Sequence, residues 1–381
     1  MIVAAGVFTW LAAAEHGGAA PSNFPSTFPL SRSSPLPSGP IDARLRDDAL
    51  RRATVYLDPA DTPPEREDDP LDQPLVSCRF TPEEPSGTSP KFSCVMEDGE
   101  PIKVKYGRNP EIQAEAAGTH LLRLLGFAAD EVVIAPKVRC YGCPRYPFLT
   151  MRILSLARAT EMFREGYREG YTDFEWAEVE RKFPAPAIET DTVEGWNWWE
   201  LNASTAPRAD IDALRLVAAF LAHWDNKSSN QRLVCLDGNR RVPTDQAYVA
   251  CARPLLMIQD LGATFGPEKV NLGRWRDLPV WEDRRTCTIS MKTLPYEGAT
   301  FRTVRISEEA RLQLASRLAA VDDAQIRELF ARARFPEFYS GTDDERDLEA
   351  WTAAFKNRVD QIAAGTQCPP TSSTAVLPSR P

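Results

Sequence analysis

Histidine is scarce in this chain: His16, His120 and His223 are the only three in 381 residues, and they lie far apart. A zinc site built from histidines needs them clustered, so that chemistry is set aside. No internal stretch reaches about 18 consecutive apolar residues, so no internal membrane helix is expected. Basic residues are the minority, 45 against 54 acidic, for a net charge of −9. An acidic chain gains nothing by releasing counterions from DNA or RNA, which removes nucleic acid as the main partner, a local basic groove aside. No internal repeat is present.

Apolar residues make up 43% of the chain, normal for a globular protein. The length suits one large two-lobed unit or two ordinary domains. Residues Ile2 to Ala14 (IVAAGVFTWLAAA) form a short apolar run, and small residues follow through Gly17 and Ala20. That resembles the core and cleavage region of a secretory signal, although the positive n-region is missing. The plainer reading is a disordered or packed apolar arm. Residues 15–40 are rich in Pro, Ser and Gly and bury too little apolar surface to order themselves. Residues 1–40 are therefore read as a signal segment with a disordered Pro/Ser linker, and 41–74 as an extension. The Pro/Ser-rich tail, 366–381, is read as disordered.

The eight cysteines stand at 78, 94, 140, 143, 235, 251, 287 and 368. Cys78/Cys94 and Cys235/Cys251 each flank a strand–turn–strand pattern, a placement suited to a bridge. An even count in an exported chain favours disulfides, so a periplasmic or secreted location is expected, and a cytoplasmic one otherwise. Cys140-Tyr-Gly-Cys143 is a lone CxxC. It is a redox pair, half a zinc site, a structural disulfide or two buried thiols, with the last two favoured.

Residues 42–56 read as a short helix and 58–74 as a Pro- and Asp-rich loop. From 75 the pattern changes. LVSCRF, KFSCVM and IKVKYG are short β-prone runs separated by turns at 86–90 and 97–99. A helix follows, with Asn109 as N-cap, Pro110 at its first position and Gly126 as its stop. VVIAPKVRC and PFLTMRIL read as further strands. Residues 156–205 read as irregular and aromatic, with GWNWW at 195–199 taken as packing in the core. The next helix, about 209–222, presents Ile211, Leu214, Val217 and Leu221 at helical spacing. RLVCL and LLMIQD read as strands. The last third is helical, with capping boxes at Asp322–Gln325 and Thr342–Glu345. Asn202-Ala203-Ser204 fits a glycosylation acceptor, a frequent chance match.

The strongest motif is His223-Trp224-Asp225-Asn226-Lys227-Ser228-Ser229-Asn230, between a buried helix and a hairpin. Thirty-four residues after Asp225 comes Gln259-Asp260-Leu261-Gly262 at the end of an apolar strand. Phosphoryl transfer needs a carboxylate to orient the attacking hydroxyl and oxygen ligands for Mg²⁺. Asp225 suits the first task; Asn230 and Asp260 suit the second. His223 is expected to pack beneath the loop. A charge at a buried strand end needs a partner, which sets Asp260 apart from an ordinary turn former.

HWDNKSSN resembles the catalytic loop of protein kinases, and Asp-Leu-Gly resembles their Mg²⁺-binding Asp-Phe-Gly. Ser86-Gly87-Thr88-Ser89-Pro90-Lys91-Phe92 is similar to the nucleotide loop of HipA-like kinases, a group allied to phosphoinositide-kinase-related bacterial kinases. The similarity spans about residues 75–265 and lies in the order of the motifs. The glycine-rich loop of ordinary protein kinases is absent, Leu261 replaces the phenylalanine, and no Ala-Pro-Glu is found.

The resemblance implies an α+β, two-lobed kinase-like fold: an N-lobe at 75–155 with a small antiparallel sheet and one helix, and a larger, mainly helical C-lobe at 156–365. It implies ATP and Mg²⁺ as cofactors. Lys105 would contact the α- and β-phosphates and pair with Glu115, with Lys103 as its rival on the same strand face. Backbone N–H groups around Gly87, Thr88, Ser89 and Lys91 would cover the phosphates. Asp225 would act as base or orienting group, Lys227 would neutralise the transferred phosphoryl, and Asn230 and Asp260 would hold Mg²⁺. These residues would converge on one cleft between the lobes. Taken singly, Lys105 reads as a solvated strand lysine and Glu115 as an exposed helix residue.

The function implied is transfer of the γ-phosphate of ATP to an acceptor, a protein hydroxyl by expectation, since no segment identifies the acceptor. AMP transfer or another ATP-dependent ligation would use similar residues. A pseudokinase binding module is disfavoured because Asp225, Asn230 and Asp260 are all present.

Overall fold

The computed structural model describes residues 43–64, 66, 68–160, 170–237, 251–291, 294, 301, 303–337, 342–365 and 367–370. The sequence readings of a signal segment, a linker and nearly all of the tail lie outside these. The described residues group into two compact units, those within 65–112 and 131–182, and those within 33–64, 113–130 and 183–381.

In chain order the main elements begin with α1 (Ala43–Arg52), β1 (Leu75–Thr81), β2 (Lys91–Met96), β3 (Pro101–Lys105) and α2 (Pro110–Leu124). β4 (Glu131–Tyr141), α3 (Pro147–Leu156), β5 (Tyr171–Arg181), α4 (Arg208–Leu221), β6 (Gln231–Cys235) and β7 (Pro254–Ile258) follow. The remainder is α5 (Leu272–Asp277), β8 (Thr288–Ser290), β9 (Thr303–Arg305), α6 (Glu308–Ala319), α7 (Asp323–Arg332) and α8 (Leu348–Ala363).

The first unit is a five-stranded closed barrel in the order β1-β2-β3-β5-β4. β1 to β3 form the expected antiparallel meander, with Phe80 opposite Cys94 and Phe92 opposite Val104. The sheet is not purely antiparallel, however. β1 also runs parallel to β4, Val76 beside Val138, and this pairing closes the barrel. Its interior holds Val76, Phe80, Phe92, Met96, Ile102, Val104, Val138, Phe174 and Val179.

β5 lies within a stretch read from the sequence as irregular. Two physical reasons hid it. Its inward residues run Phe174, Ala177, Val179, so the two-residue alternation breaks at Trp176, whose φ is 52°. It is also strongly acidic, and the compensating charges sit on other strands. Asp173 faces Arg139 and Glu175 faces Lys137 on β4, while Glu178 faces Lys105 and Glu180 faces Lys103 on β3. Opposite charges directly across a ladder stabilise it.

A second correction concerns PFLTMRIL, which is helix α3 rather than a strand. Pro147 sits in its first turn, and Pro147, Thr150, Met151 and Leu154 are buried at helical spacing. Proline at that position lacks only a donor the helix would leave unused.

The division between the units falls after Ile112, inside α2. α2 is entered as expected: Asn109 Oδ1 accepts from the Glu111 amide at 3.1 Å. At its end the Phe127 amide returns to the Leu122 carbonyl at 2.9 Å, and Gly126 takes φ +80°, a left-handed closure that glycine adopts freely. β6 and β7 pair antiparallel, Gln231 opposite Ile258. α4 is buried along almost its whole length. The aromatic core around it joins Phe220, Phe265, Trp275, Phe330 and Trp351. Arg358, fully buried, donates to the carbonyls of Phe220 at 3.0 Å and Ala219 at 3.1 Å. It thereby caps the carbonyl end of α4, where a cation is favoured. The capping box at Asp322–Gln325 is complete. At Thr342 only the Glu345 side chain reaches back, to the Thr342 amide at 2.9 Å, and a single 3₁₀ turn follows.

All eight cysteines are paired. Cys78–Cys94 and Cys235–Cys251 form as expected, Cys140–Cys143 is a disulfide, and Cys287–Cys368 is a fourth pair. Such pairing suits an oxidising compartment. Among the described residues no helix is long and apolar enough to cross a membrane.

Candidate functional site

α4 ends at Ala222 in the left-handed conformation, and the His223 amide closes back on the Ala218 carbonyl at 2.9 Å. From this point the chain enters the motif loop. His223 is fully buried beneath it. Burial pushes its imidazole down to about 4 and outweighs Asp260 and the Ala263 backbone, which favour the charged form.

Internal hydrogen bonds hold the loop. Asn226 Nδ2 donates to the His223 carbonyl at 2.7 Å, and Gln231 Nε2 donates to the Asn226 carbonyl at 3.2 Å. Lys227 Nζ lies 2.9 Å from both carboxylate oxygens of Asp225. Asn230 Nδ2 donates to the Asp225 carbonyl at 2.6 Å and to Asp225 Oδ2 at 3.1 Å. The Asn230 amide nitrogen is thus committed to Asp225, and its Oδ1 is the atom left to ligate a cation.

Asp260 belongs to the same end of the same hairpin. Asn230 immediately precedes β6, and Gln259 immediately follows β7. The Gln259 amide donates to the Asn230 carbonyl at 3.0 Å, and the Trp224 amide to the Ala263 carbonyl at 3.3 Å. The two loops therefore run side by side. Asp260 itself has φ 53°, a conformation uncommon outside glycine and found disproportionately at functional sites. Next to it, Leu261 packs on Gly118 of α2, where an added Cβ would meet Leu261 Cβ at 3.1 Å.

The loop also has a buttress that sequence reasoning missed. The GWNWW segment is core, as expected: Trp196 is fully buried, and its Nε1 donates to the Arg232 carbonyl at 3.1 Å. Gly195, however, presses directly on the turn Ser228–Asn230. A Cβ there would sit 2.1 Å from the carbonyl oxygens of both Ser228 and Gln231. The buried Arg46 of α1 donates to the Gly195 carbonyl at 2.7 Å and pairs with Glu200 at 2.8 Å. A glycine next to an aromatic cluster was the one signal available.

In the barrel unit, Lys105 is buried and lies 3.5 Å from Glu178. It is not a solvated strand lysine. Lys103 is more exposed and pairs with Glu180, which also pairs with Lys182. Burial would raise the Glu180 carboxyl, but Lys103, Lys182 and Lys105 together hold it well below the usual range. Glu178 and Glu180 went unrecognised in the sequence because β5 did. Glu115 is buried on α2, not an exposed helix residue.

The loop of Gly87, Thr88, Ser89 and Lys91 leads into β2. Gly87 has φ +71°, and Lys91 Nζ lies 3.3 Å from where its Cβ would be. Ser89 Oγ bonds the Glu111 carboxylate and accepts from Asn109 Nδ2 at 3.2 Å. The loop is thus tied to the first turn of α2. Within the second unit the structure brings together Asp225, Lys227, Asn230 and Asp260; within the barrel unit it brings Lys91, Lys103 and Lys105 onto neighbouring positions of β2 and β3.

No family model matches the chain, and no curated protein matches it. Among solved structures it is similar to the crystal structure of a Helicobacter pylori proinflammatory kinase, CtkA, at 10% identity and a TM-score of 0.41, over 75% of this chain and 94% of that chain.

Proposed function

We propose that the chain is an ATP- and Mg²⁺-dependent phosphotransferase that moves the γ-phosphate to a protein hydroxyl. The observation that carries this reading is the shared end of the β6–β7 hairpin. There a carboxylate gripped by a lysine adjoins an asparagine and a second aspartate in the left-handed conformation. Asn230 and Asp260 offer hard oxygen donors, the ligand type Mg²⁺ takes, and so fit it. Bound there, the ion would screen phosphate charge.

In this reading Asp225 orients the acceptor hydroxyl and takes its proton as the oxygen attacks the γ-phosphorus, while the bond from that phosphorus to the β,γ-bridging oxygen breaks and ADP leaves. Lys227 holds the Asp225 carboxylate in place through both of its oxygens and adds positive charge beside the phosphoryl group. Lys105, held by Glu178, contributes a cation for the α- and β-phosphates. The backbone N–H groups of Gly87, Thr88, Ser89 and Lys91 supply neutral donors for the same oxygens. Because phosphoryl transfer is mostly positioning and electrostatics, this inventory suffices without a covalent intermediate.

The test is incubation with Mg²⁺ and γ-labelled ATP, alone and with a lysate, followed by intact-mass analysis. An added mass of about 80 Da is a phosphate. An added AMP would instead replace the γ-transfer reading, and no labelling at all, with ATP bound, would make the chain a binding module.

A further inference from the structure

Of the nine large apolar residues exposed among the described residues, four fall within eleven positions: Tyr146 at 53%, Leu149 at 56%, Ile153 at 36% and Leu156 at 86%. Their spacing of three, four and three places them on one face of α3, opposite the buried Pro147, Thr150, Met151 and Leu154. Scattered exposed leucines are ordinary; a continuous apolar stripe on one helix is not.

The charge along the segment that carries the stripe is one-sided. From Cys140 to Thr160 there is no Asp or Glu, and the basic residues are Arg145, Arg152 and Arg158, all exposed, in a chain of net charge −9. Arg145 and Arg152 stack at the edge of the stripe, over Tyr146 and Phe148. Arg152 also donates to the Gly87 carbonyl at 3.3 Å, which leaves Arg145 and Arg158 as the freer cations. Apolar side chains flanked by arginines, with aromatic rings at one end, are the makeup of a helix that lies in a membrane interface.

We propose that α3 docks the barrel unit onto an anionic lipid surface, with Tyr146, Leu149, Ile153 and Leu156 entering the acyl boundary and the arginines meeting the headgroups. Two observations favour lipid over a protein occupant. The stripe is convex, being one face of a helix, and a bilayer accepts a convex apolar surface without a matching groove. It is also small. Four side chains on a three-turn helix fall short of the roughly 800 Å² per partner that a stable protein interface takes. The charge fixes the lipid class, because each arginine near an anionic surface adds attraction that a zwitterionic one lacks. The inference is independent of the kinase reading.

The experiment is vesicle co-sedimentation of the oxidised full chain. It compares pure phosphatidylcholine with phosphatidylcholine containing about one-third phosphatidylglycerol, at low and high salt. Wild type is expected to pellet with the anionic vesicles only. Leu149→Gln combined with Leu156→Gln should lower the bound fraction about tenfold at unchanged melting temperature, since both residues are exposed. Arg145→Gln with Arg158→Gln should lower it several-fold and flatten the salt dependence. The proposal is overturned if wild type stays in the supernatant or if the leucine double variant binds as wild type does. It is equally overturned if the stripe proves to drive a concentration-dependent dimer, or capture of an acidic partner protein, in place of vesicle binding.

Discussion

Gly195→Ala is the most discriminating substitution, because it touches no proposed ligand and yet acts on the loop that carries them. The added Cβ would stand 2.1 Å from two carbonyl oxygens, those of Ser228 and Gln231. A carbon–oxygen contact needs about 3.2 Å, so the turn must retreat by roughly 1 Å. Neither obstacle is a flexible side-chain end; both are backbone. The backbone at Gly195 has φ +60°, where a side chain adds a further 1–2 kcal/mol or so. With overpacking of about 1–3 kcal/mol, the total is roughly 2–5 kcal/mol. That lowers the melting temperature by roughly 5–15 °C and leaves the protein folded at room temperature. The displaced turn carries Asn230, and Asn230 holds Asp225. A shift of about 1 Å in a reacting group costs on the order of a hundredfold in rate. Single-turnover transfer at saturating ATP should therefore fall about a hundredfold, while ATP affinity measured by titration, which the proposed function assigns mainly to Lys105 and the 87–91 loop, changes little. A variant that melts like wild type and turns over at the wild-type rate would refute the buttress and the geometry behind it.

Three further outcomes follow from the same structure. Lys105→Met should weaken ATP binding about tenfold or more, whereas Lys103→Met, replacing a half-exposed lysine paired to Glu180, should change it less than about twofold by calorimetry. Non-reducing peptide mapping should recover four linkages; the 16-residue separations correspond to about 3 kcal/mol each and the 81-residue Cys287–Cys368 separation to about 4.5 kcal/mol, so reduction should lower the melting temperature sharply. His223 is held down to about 4 by burial, so below pH 6.5 the unfolded chain takes up a proton that the folded one refuses. Its contribution to stability is complete above pH 6.5 and is lost as pH falls toward 4, by up to about 3 kcal/mol, and His223→Gln should flatten that part of the pH–stability curve in urea titrations.

The elements readable from sequence were those whose signals are local. The β1–β3 meander is marked by turns, α2 by Asn109 and Gly126, α4 by its apolar spacing, and the short cysteine pairs by their hairpins. The motif loop and Asp260 were readable for the same reason, since their spacing along β6 and β7 puts them at one end of one hairpin. What could not be read depends on distant partners. β5 is a strand only because Lys103, Lys105, Lys137 and Arg139 answer its carboxylates across the ladder. The barrel closes through a parallel β1–β4 pair more than fifty residues apart. Cys287 and Cys368 share no local pattern. Arg46 and Gly195 support the loop from a helix and a turn that no motif links to it. PFLTMRIL failed differently: its apolar composition suits a strand or a buried helix equally, and only Pro147 at the start argues for the helix.

The most direct test of the account is a γ-labelled ATP assay with Mg²⁺ on wild type, Asp225→Ala and Asp260→Ala, paired with ATP-binding titrations on all three. Wild type should transfer label. Asp260→Ala should abolish Mg²⁺-dependent transfer, because a hard oxygen ligand is gone. Asp225→Ala should bind ATP as wild type does and yet transfer at least about a hundredfold more slowly. Transfer that survives both substitutions, or a wild-type protein that binds no ATP, would contradict the assignment.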